Sequence, residues 1–327
     1  MKSTLEYLYQ NQTLNYSQSK LALKSLQDTK VSPEQMASFL TVFNMRGISL
    51  EELKAFRDVL KEQSLQIHLD ADQLIDLCGT GGDGKNTFNI STTASFIVAG
   101  AGFKVAKHGN YGVSSICGSS SVMESLGYQF TNDESVLNQQ LNRSNICFLH
   151  APLFHPGMKK IAPVRKALGC STFFNMLGPL LNPSQLTHQL VGVFSLELQR
   201  MYRYLLAESP LNFRVVHDLS GYDEMSLTGK VKLLEQDAEK LIDASTFHLK
   251  PLDPCSIEGG ANIEEGKAIL LSVLANRAPE AHKHVACANA ALAIQLLQQC
   301  SFEDAFAMAT ESVESGESLN ALKQLLS

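Results

Sequence analysis

A glycine-rich segment offers the first candidate site. Residues 79–92 read GTGGDGKNTFNIST and follow a short apolar run, QLIDLC, at 73–78. Glycines let the backbone approach a ligand closely, and free N–H groups at a helix start favour negative charge. Asn89, Ser91 and Thr92 stand where that helix would begin. A structural turn would also use glycines, but the combination with an acid and small polar residues favours an anion site.

Two standard phosphate motifs do not fit this segment. A P-loop needs a hydroxyl residue after its lysine, and Asn86 follows Lys85. A dinucleotide site needs an acid at the end of the second strand, where this chain has Lys107. A phosphorylated sugar is therefore a better candidate ligand than a dinucleotide.

A second polar group follows the next apolar run, FKVA at 103–106. Lys107 can meet a phosphate as a point charge, and Asn110 can donate and accept hydrogen bonds. Ser114-Ser115 and Gly118-Ser119 add further donors. Alone, Lys107 would be an ordinary strand-end lysine. Since ligands of parallel sheets bind beyond the carboxyl ends of strands, its position favours a role in the same site.

Acidic and basic candidates come later in the chain. Asp223-Glu224 follows the run FRVVHD (213–218), and paired carboxylates at a strand end suit magnesium. His155 and Arg165 lie in the proline-framed segment 150–169, where an arginine fork could bind a substrate carboxylate. Taken singly, the acidic pair and Arg165 would be interpreted as surface residues. Their occurrence in the same chain as the two phosphate-type segments favours a functional site.

The elements that would position these residues fall into two groups. Residues 1–70 predict helices, with capping boxes at Ser32/Gln35 and Ser49/Glu52. Apolar runs alternating with helical segments predict a larger α/β domain over 71–327 with a mostly parallel central sheet. Its strands are expected at 73–78, 103–106, 146–151, 190–195 and 213–218, with another at MSLTG (225–229). Prolines mark 150–190 as a connection, and part of 155–190 is expected to complete the helical domain.

Composition excludes several classes of protein. The 327 residues carry a net charge of −6, which gives no broad basic field for nucleic acid. No apolar run is long enough to span a membrane, and MKSTLEYLYQ lacks a signal region, so a cytoplasmic location is expected. The seven cysteines include no C-x-x-C pair and predict reduced thiols.

The segments GTGGDGKNTFNIST, KHGN with SS and GSS, HP-x-MK-x-x-x-PVR-x-x-LG, FN-x-LGPL-x-NP and G-x-DE-x-S together resemble the anthranilate phosphoribosyltransferase family. The likeness covers nearly the whole chain, in order. It implies a small helical domain beside a larger α/β domain, and a homodimer joined through the helical part. It also implies transfer of the phosphoribosyl group of 5-phosphoribosyl diphosphate to the amine of anthranilate, giving N-(5-phosphoribosyl)anthranilate and pyrophosphate in tryptophan biosynthesis.

The resemblance implies roles for individual residues. The diphosphate donor would contact Gly79, Gly82, Asp83, Thr87, Asn89, Ile90, Ser91, Thr92, Lys107, Ser115 and Ser119. Anthranilate would contact Gly79, Asn110 and Arg165, with His155 nearby. Ser91, Asp223 and Glu224 would hold Mg²⁺, with two ions per active site. No covalent nucleophile or strong base is expected.

The chain departs from the family pattern at a few positions. Tyr111 stands where an arginine is usual, and Ser120-Ser121 replace a common Ala-Asp. Residues 275–284 also lack an expected Gly-Ala-x-Arg-Asp pattern. Two alternatives remain at this point: a related phosphoribosyl- or nucleoside-transferring enzyme with another acceptor, and a non-catalytic relative that binds nucleic acid.

Overall fold

A computed structural model describes residues 1–112 and 118–327. Four helices form the N-terminal part of the chain, and a seven-stranded sheet flanked by helices forms the remainder. The helices are α1 (Lys2–Tyr9), α2 (Tyr16–Leu26), α3 (Pro33–Arg46), α4 (Leu50–Gln63), α5 (Ile90–Gly100), α6 (Ser119–Ser125), α7 (Glu134–Ser144), α8 (Ala151–Phe154), α9 (Ala162–Leu168), α10 (Leu196–Leu206), α11 (Ile263–Leu274), α12 (Glu280–Gln298), α13 (Phe302–Glu314) and α14 (Glu317–Leu326). The strands are β1 (Ile75–Gly79), β2 (Val105–Gly109), β3 (Ile146–His150), β4 (His188–Gly192), β5 (Asn212–Asp218), β6 (Val231–Leu234) and β7 (Glu239–Ile242).

Both predicted capping boxes of the helical part are confirmed. The Ser32 hydroxyl accepts the N–H of Gln35, whose side chain accepts the N–H of Ser32. Ser49 and Glu52 make the same exchange at the start of α4. These reciprocal bonds satisfy N–H groups that a helix start leaves without partners, so the local sequence fixes both boundaries.

The sheet has the strand order β3-β2-β1-β4-β5-β6-β7. Strands β1 to β5 pair in parallel, while β6 and β7 add an antiparallel hairpin at one edge. This confirms the predicted fold class, a small helical domain with a larger α/β domain and a mostly parallel sheet. Because β1, β2, β4 and β5 run the same way, their carboxyl ends meet at one edge.

One strand prediction is wrong. The segment MSLTG forms no strand, and the antiparallel pair begins only at Val231. The Asn289 side-chain amide accepts a hydrogen bond from the N–H of Met225 and donates one to its carbonyl. Leu227, two residues later, has a φ of +61°. A residue with its backbone groups bound to a side chain, followed by a left-handed conformation, does not extend a ladder.

Apolar side chains pack on both faces of the sheet. Leu190 of β4 belongs to the core with α5 and α12, whereas Val191 faces a second core shared with α3 and α4. That second core also takes in Phe173 from the proline-marked segment. This packing favours the interpretation that part of 155–190 completes the helical domain, which stays a prediction together with the 1–70 and 71–327 boundaries.

In the described ranges, no single helix is both long enough and apolar enough to span a membrane. Helices α12 and α13 meet both conditions only when they are taken together, as a pair bent by 120°.

Candidate active site

A cleft of about 410 Å³ lies at the carboxyl ends of β1 and β2. Its walls come mainly from the glycine-rich segment, the turn after β2, residues 165–179 and the acidic pair, with smaller contributions from the starts of α6 and α8. The predicted site residues that line it are Gly79, Gly82, Asp83, Thr87, Asn89, Ile90, Ser91, Thr92, Lys107, Asn110, Ser119, Arg165, Asp223 and Glu224. Ser115 lies outside the described residues. The structure therefore brings nearly all the candidates into one space.

The glycine-rich segment packs directly against Asp223. A Cβ atom at Gly79 would lie 2.5 Å from Asp223 Oδ2, so any side chain there would displace the carboxylate. The N–H of Gly81, which has a φ of +62°, donates to the same oxygen at 2.7 Å. Glycine is needed at 79 for space and at 81 for conformation. The glycines therefore serve the packing of the segment against Asp223 as well as the approach of a ligand from the cleft.

Three acidic groups crowd one end of the cleft. Asp83 and Asp223 share a hydrogen bond between their carboxyl groups, and Glu224 follows Asp223. Burial, reinforced by repulsion from Asp83, raises the pKa of Asp223 to about 7. Burial and the charge of Asp223 likewise raise the pKa of Glu224 to about 8. The cleft therefore favours the protonated forms of these carboxyl groups, which would be ionised in water.

Glu224 also reaches the start of α5. The Ser91 N–H donates to Glu224 Oε1 at 2.8 Å. Free N–H groups in the first turn of a helix attract anions, and here a carboxylate occupies one of them. The helix start predicted to bind an anion is present, with a protein carboxylate on one of its N–H groups.

Lys107 is a buried residue in the floor of the cleft. Its ammonium group donates to the carbonyl of Leu77 at 2.5 Å and to Ser91 Oγ at 3.4 Å. Only 2% of the residue is exposed. Its charge lowers the pKa of Glu224, against the larger effect of burial. Lys107 thus places positive charge beneath the acidic pair and orients the Ser91 hydroxyl.

Arg165 forms the opposite wall. Its Nη2 donates to Asn175 Oδ1 at 3.1 Å, and its guanidinium lies 5.3 Å from the ring centre of Phe174. Burial lowers its pKa, and Nε is buried without a partner among the described residues. A buried guanidinium with unused donors is suited to a bidentate carboxylate ligand.

The Asn110 side chain is oriented by its own neighbour. Asn110 Oδ1 accepts the N–H of Tyr111 at 2.8 Å. The amide nitrogen is therefore the end of the side chain left for a ligand, and it can only donate. Besides Arg165, the Asn110 amide gives the cleft a second hydrogen-bond donor. Such a donor suits a ligand with an anionic or carbonyl group.

His108 is a cleft residue that the sequence interpretation gave no role. Its Nδ1 lies 3.0 Å from the carbonyl of Gly178, to which it can only donate. Burial lowers its pKa to about 3, so the ring is neutral, and Nε2 has no partner among the described residues. The KHGN segment was the available signal, since His108 lies between two predicted site residues.

His155 lies behind His108 and does not line the cleft. The two ring centres are 5.4 Å apart, and His155 is only 6% exposed. Burial lowers its pKa to about 4, an effect that the Leu181 carbonyl opposes. Its predicted place near anthranilate stays a prediction, and the contact with the cleft would run through His108.

The positions that depart from the family pattern make local contacts. The Tyr111 hydroxyl donates to Glu124 at 2.6 Å, and its ring meets His150 edge-on at 4.9 Å. The Ser120 hydroxyl is 2.9 Å from Nδ1 of the same histidine. Tyr111 thus fixes the turn after β2 with polar and aromatic contacts and adds no positive charge.

The acidic end suits a divalent cation that also binds a ligand. Across residues 1–112 and 118–327, no three His, Cys, Asp or Glu side chains form a complete metal site. Mg²⁺ commonly takes one or two carboxylates and completes its shell with water and substrate phosphates. Asp223 and Glu224, whose pKa values are raised by burial and mutual repulsion, are the carboxylates that such a cation would stabilise.

Known proteins with similar sequences agree with this architecture. The family described as "Glycosyl transferase family, a/b domain" matches residues 71–319, and "Glycosyl transferase family, helical bundle domain" matches residues 2–64. Anthranilate phosphoribosyltransferase from Flavobacterium johnsoniae is 50% identical over 99% of this chain and 98% of its own. The enzyme of that name from Bacteroides thetaiotaomicron is 45% identical over 100% of this chain and 98% of its own.

Solved structures give the same result. Anthranilate phosphoribosyltransferase from Thermus thermophilus superposes with a TM-score of 0.88 at 29% identity, covering 98% of both chains. The enzyme from Saccharomyces cerevisiae, in complex with PRPP and Mg, gives 0.85 at 27% identity over 95% of this chain and 91% of its own. Full-length identity, both domains and the cleft agree, and the chain belongs to the anthranilate phosphoribosyltransferase family.

Proposed function

We propose that this chain transfers the phosphoribosyl group of 5-phosphoribosyl diphosphate to the amine of anthranilate, releasing pyrophosphate. The observation that carries the proposal is that donor-type groups, the acidic pair and Arg165 line one cleft. Family membership supports the same reaction. N-(5-phosphoribosyl)anthranilate is the product, an intermediate of tryptophan biosynthesis.

The donor diphosphate is assigned to the glycine-rich side of the cleft. Backbone N–H groups at the start of α5 and the hydroxyls around it suit phosphate oxygens. The proposed donor contacts are Gly79, Gly82, Asp83, Thr87, Asn89, Ile90, Ser91, Thr92, Lys107 and Ser119. Ser115 stays a proposed contact on the resemblance alone.

Ser91, Asp223 and Glu224 are the proposed magnesium-binding residues, with two ions per site as the finer expectation. Bound Mg²⁺ would neutralise charge on the leaving pyrophosphate. The S. cerevisiae enzyme has been solved with PRPP and Mg, which supports magnesium use. The chain's own part is to hold the carboxylates: Gly81 donates to Asp223, and Ser91 donates to Glu224.

Anthranilate is assigned to the opposite wall. Arg165 would bind the carboxylate of anthranilate. The Asn110 amide would donate a hydrogen bond to the same carboxylate. The aromatic amine is uncharged at neutral pH, so its nitrogen lone pair can attack C1 of the ribose without a strong base. As the N–C1 bond forms, the C1–O bond to pyrophosphate breaks, and the nitrogen then loses one proton to water. The main demands are alignment and stabilisation of the departing charge.

A homodimer joined through the helical part and a cytoplasmic location complete the proposal. Tyr9, Leu21 and Met45 are 59%, 67% and 84% exposed in the helical part and offer apolar surface to a second copy. Light scattering after gel filtration tests the dimer. Because a multiply charged sugar phosphate does not cross a bilayer unaided, its use as the donor supports the cytoplasmic location.

The test is an assay of the purified chain with magnesium and donor, in which anthranilate is compared with other aromatic amines. Formation of fluorescent phosphoribosylanthranilate, with pyrophosphate released in equal amount, is expected only with anthranilate. Faster turnover of another amine would favour the related transferase with a different acceptor. No turnover together with DNA binding at physiological salt would favour the nucleic-acid-binding alternative.

A further inference from the structure

Lys85 is the lysine of the glycine-rich segment and the third cationic residue that lines the cleft, besides Lys107 and Arg165. Lys107 is fixed by Leu77 and Ser91 beneath the acidic pair. Arg165 is on the acceptor wall, bound to Asn175. Of the three, only Lys85 is solvent-exposed. It can therefore move to meet a ligand at the donor side.

Lys85 is directed towards the acidic loop. Its ammonium lies 4.8 Å from the ring centre of Tyr222, the residue before Asp223. A Cβ atom at Gly221 would lie 3.6 Å from Lys85 Cε. The Lys85 N–H donates to Asp83 Oδ1 at 3.0 Å, which fixes the backbone of the segment under the side chain. The long side chain thus bridges the glycine-rich segment and residues 221–224.

The other charges of the cleft indicate why a cationic side chain would be useful at the donor side. Asp83 and the ionised forms of Asp223 and Glu224 repel an incoming diphosphate, and Tyr111 supplies no cation at the turn after β2. An exposed ammonium group such as that of Lys85 is held only weakly by the aromatic ring beside it. A phosphate oxygen is a stronger partner for an ammonium group than a ring is.

We propose that Lys85 is a donor-binding residue, whose ammonium group leaves the Tyr222 ring and binds the diphosphate of the donor. This assignment rests on the proposed function for the identity of the donor. Lys85 touches the leaving group, so its loss weakens the binding of both the donor and the released pyrophosphate.

Lys85→Met tests the assignment because methionine keeps the length of the stem and removes the charge. We expect KM for the donor to rise roughly 10- to 100-fold, the range for a lost charge-assisted hydrogen bond. KM for anthranilate should stay within about twofold, since Arg165 lies on the other wall. Calorimetry with inorganic pyrophosphate and Mg²⁺ should show the same loss of affinity without any turnover.

Two variants serve as controls. Lys85→Arg restores the charge and should recover most of the affinity for donor and pyrophosphate. Lys323→Met removes an exposed lysine of α14, remote from the cleft, and should leave every constant unchanged. Circular dichroism checks that each variant is folded.

Wild-type donor KM and pyrophosphate affinity in Lys85→Met would overturn the proposal. So would a Lys85→Arg variant no better than Lys85→Met, because charge would then not explain the loss. The pyrophosphate measurement separates this outcome from failure of the proposed function. A chain with no anthranilate turnover but Lys85-dependent pyrophosphate binding would refute the reaction and keep the assignment.

Discussion

The backbone N–H of Ser91 donates a 2.8 Å hydrogen bond to the carboxylate of Glu224. This contact joins the first turn of α5 to the loop after β5, two regions 133 residues apart in the chain. It fills an N–H group at a helix start that would otherwise attract an anion. Phosphate binding at this position must therefore be accompanied by a change in the partner of Glu224.

The acidic pair gives the first prediction. Asp223→Asn combined with Glu224→Gln should lower kcat by roughly 1000-fold, because the charges proposed to hold Mg²⁺ are lost while the side-chain shapes remain. Steady-state kinetics at several magnesium concentrations measures this. The control is Glu235→Gln, a carboxylate paired with Arg214 away from the cleft. A double variant with near-normal turnover at ordinary magnesium would contradict the assignment.

The same carboxyl groups predict a pH-dependent stability. Their folded pKa values, about 7 and about 8, lie above the ordinary values of 3.8 and 4.5. Between these limits the folded chain binds more protons than the unfolded chain, so this contribution to stability falls as pH rises. Asp223→Asn removes one of the two titrating groups, so the stability of the variant should fall less as pH rises.

Melting temperatures of the wild type and Asp223→Asn, without magnesium, check this sign. The difference should be smallest near pH 4, should grow as pH rises, and should reach roughly 2–4 °C in favour of the variant above pH 8. Equal melting temperatures across this range would show that Asp223 is not held protonated.

Magnesium binding should release protons. Since Asp223 and Glu224 are partly protonated at neutral pH, a cation that binds their ionised forms displaces those protons. Calorimetry with Mg²⁺ and pyrophosphate, in buffers of different ionisation enthalpy, should show proton release near pH 7 and almost none above pH 9. Apparent affinity should therefore rise with pH. An affinity independent of pH would rule out these two groups as the titrating ligands.

Gly79→Ala should damage the site through its contact with Asp223. The added Cβ would lie 2.5 Å from Asp223 Oδ2, closer than nonbonded atoms approach. We expect kcat to fall at least tenfold and stability to drop by about 1–3 kcal/mol. Urea unfolding measures the second effect. Gly178→Ala, which adds a methyl group in open space, should leave stability nearly unchanged.

Arg165→Lys tests the acceptor wall. A lysine keeps the charge but cannot make two parallel hydrogen bonds to a carboxylate. KM for anthranilate should rise roughly tenfold or more, with little change in KM for the donor. Asn175→Ala, which removes the partner of Arg165 Nη2, should give a smaller change in the same direction. A donor-specific effect would move Arg165 to the other half of the reaction.

Much of the sheet could be predicted because β1 to β5 contain short apolar runs, and β1 to β4 each precede a helix. The β6–β7 hairpin was missed since its sequences, VKLL and EKLI, are short and alternate with charged residues. The segment MSLTG looked equally strand-like, and only the contact of Met225 with Asn289, 64 residues away, explains its irregular backbone.

The candidate site was predictable to a similar extent. Residue types indicated phosphate, metal and carboxylate chemistry, and parallel topology indicated one sheet edge. The hydrogen bond between Asp83 and Asp223, the burial of Lys107 and the place of His155 behind His108 depend on packing between distant parts of the chain. Local sequence holds no information on such contacts.

The crowding of Asp83, Asp223 and Glu224 also bears on which chemical form of the donor this protein can use. A bare diphosphate would add its negative charges to the ionised forms of these carboxyl groups, whereas its magnesium complex carries less negative charge. The cleft would then discriminate by net charge as well as by shape. The magnesium complex would be the true substrate, and uncomplexed donor a poor ligand that accumulates whenever magnesium is scarce.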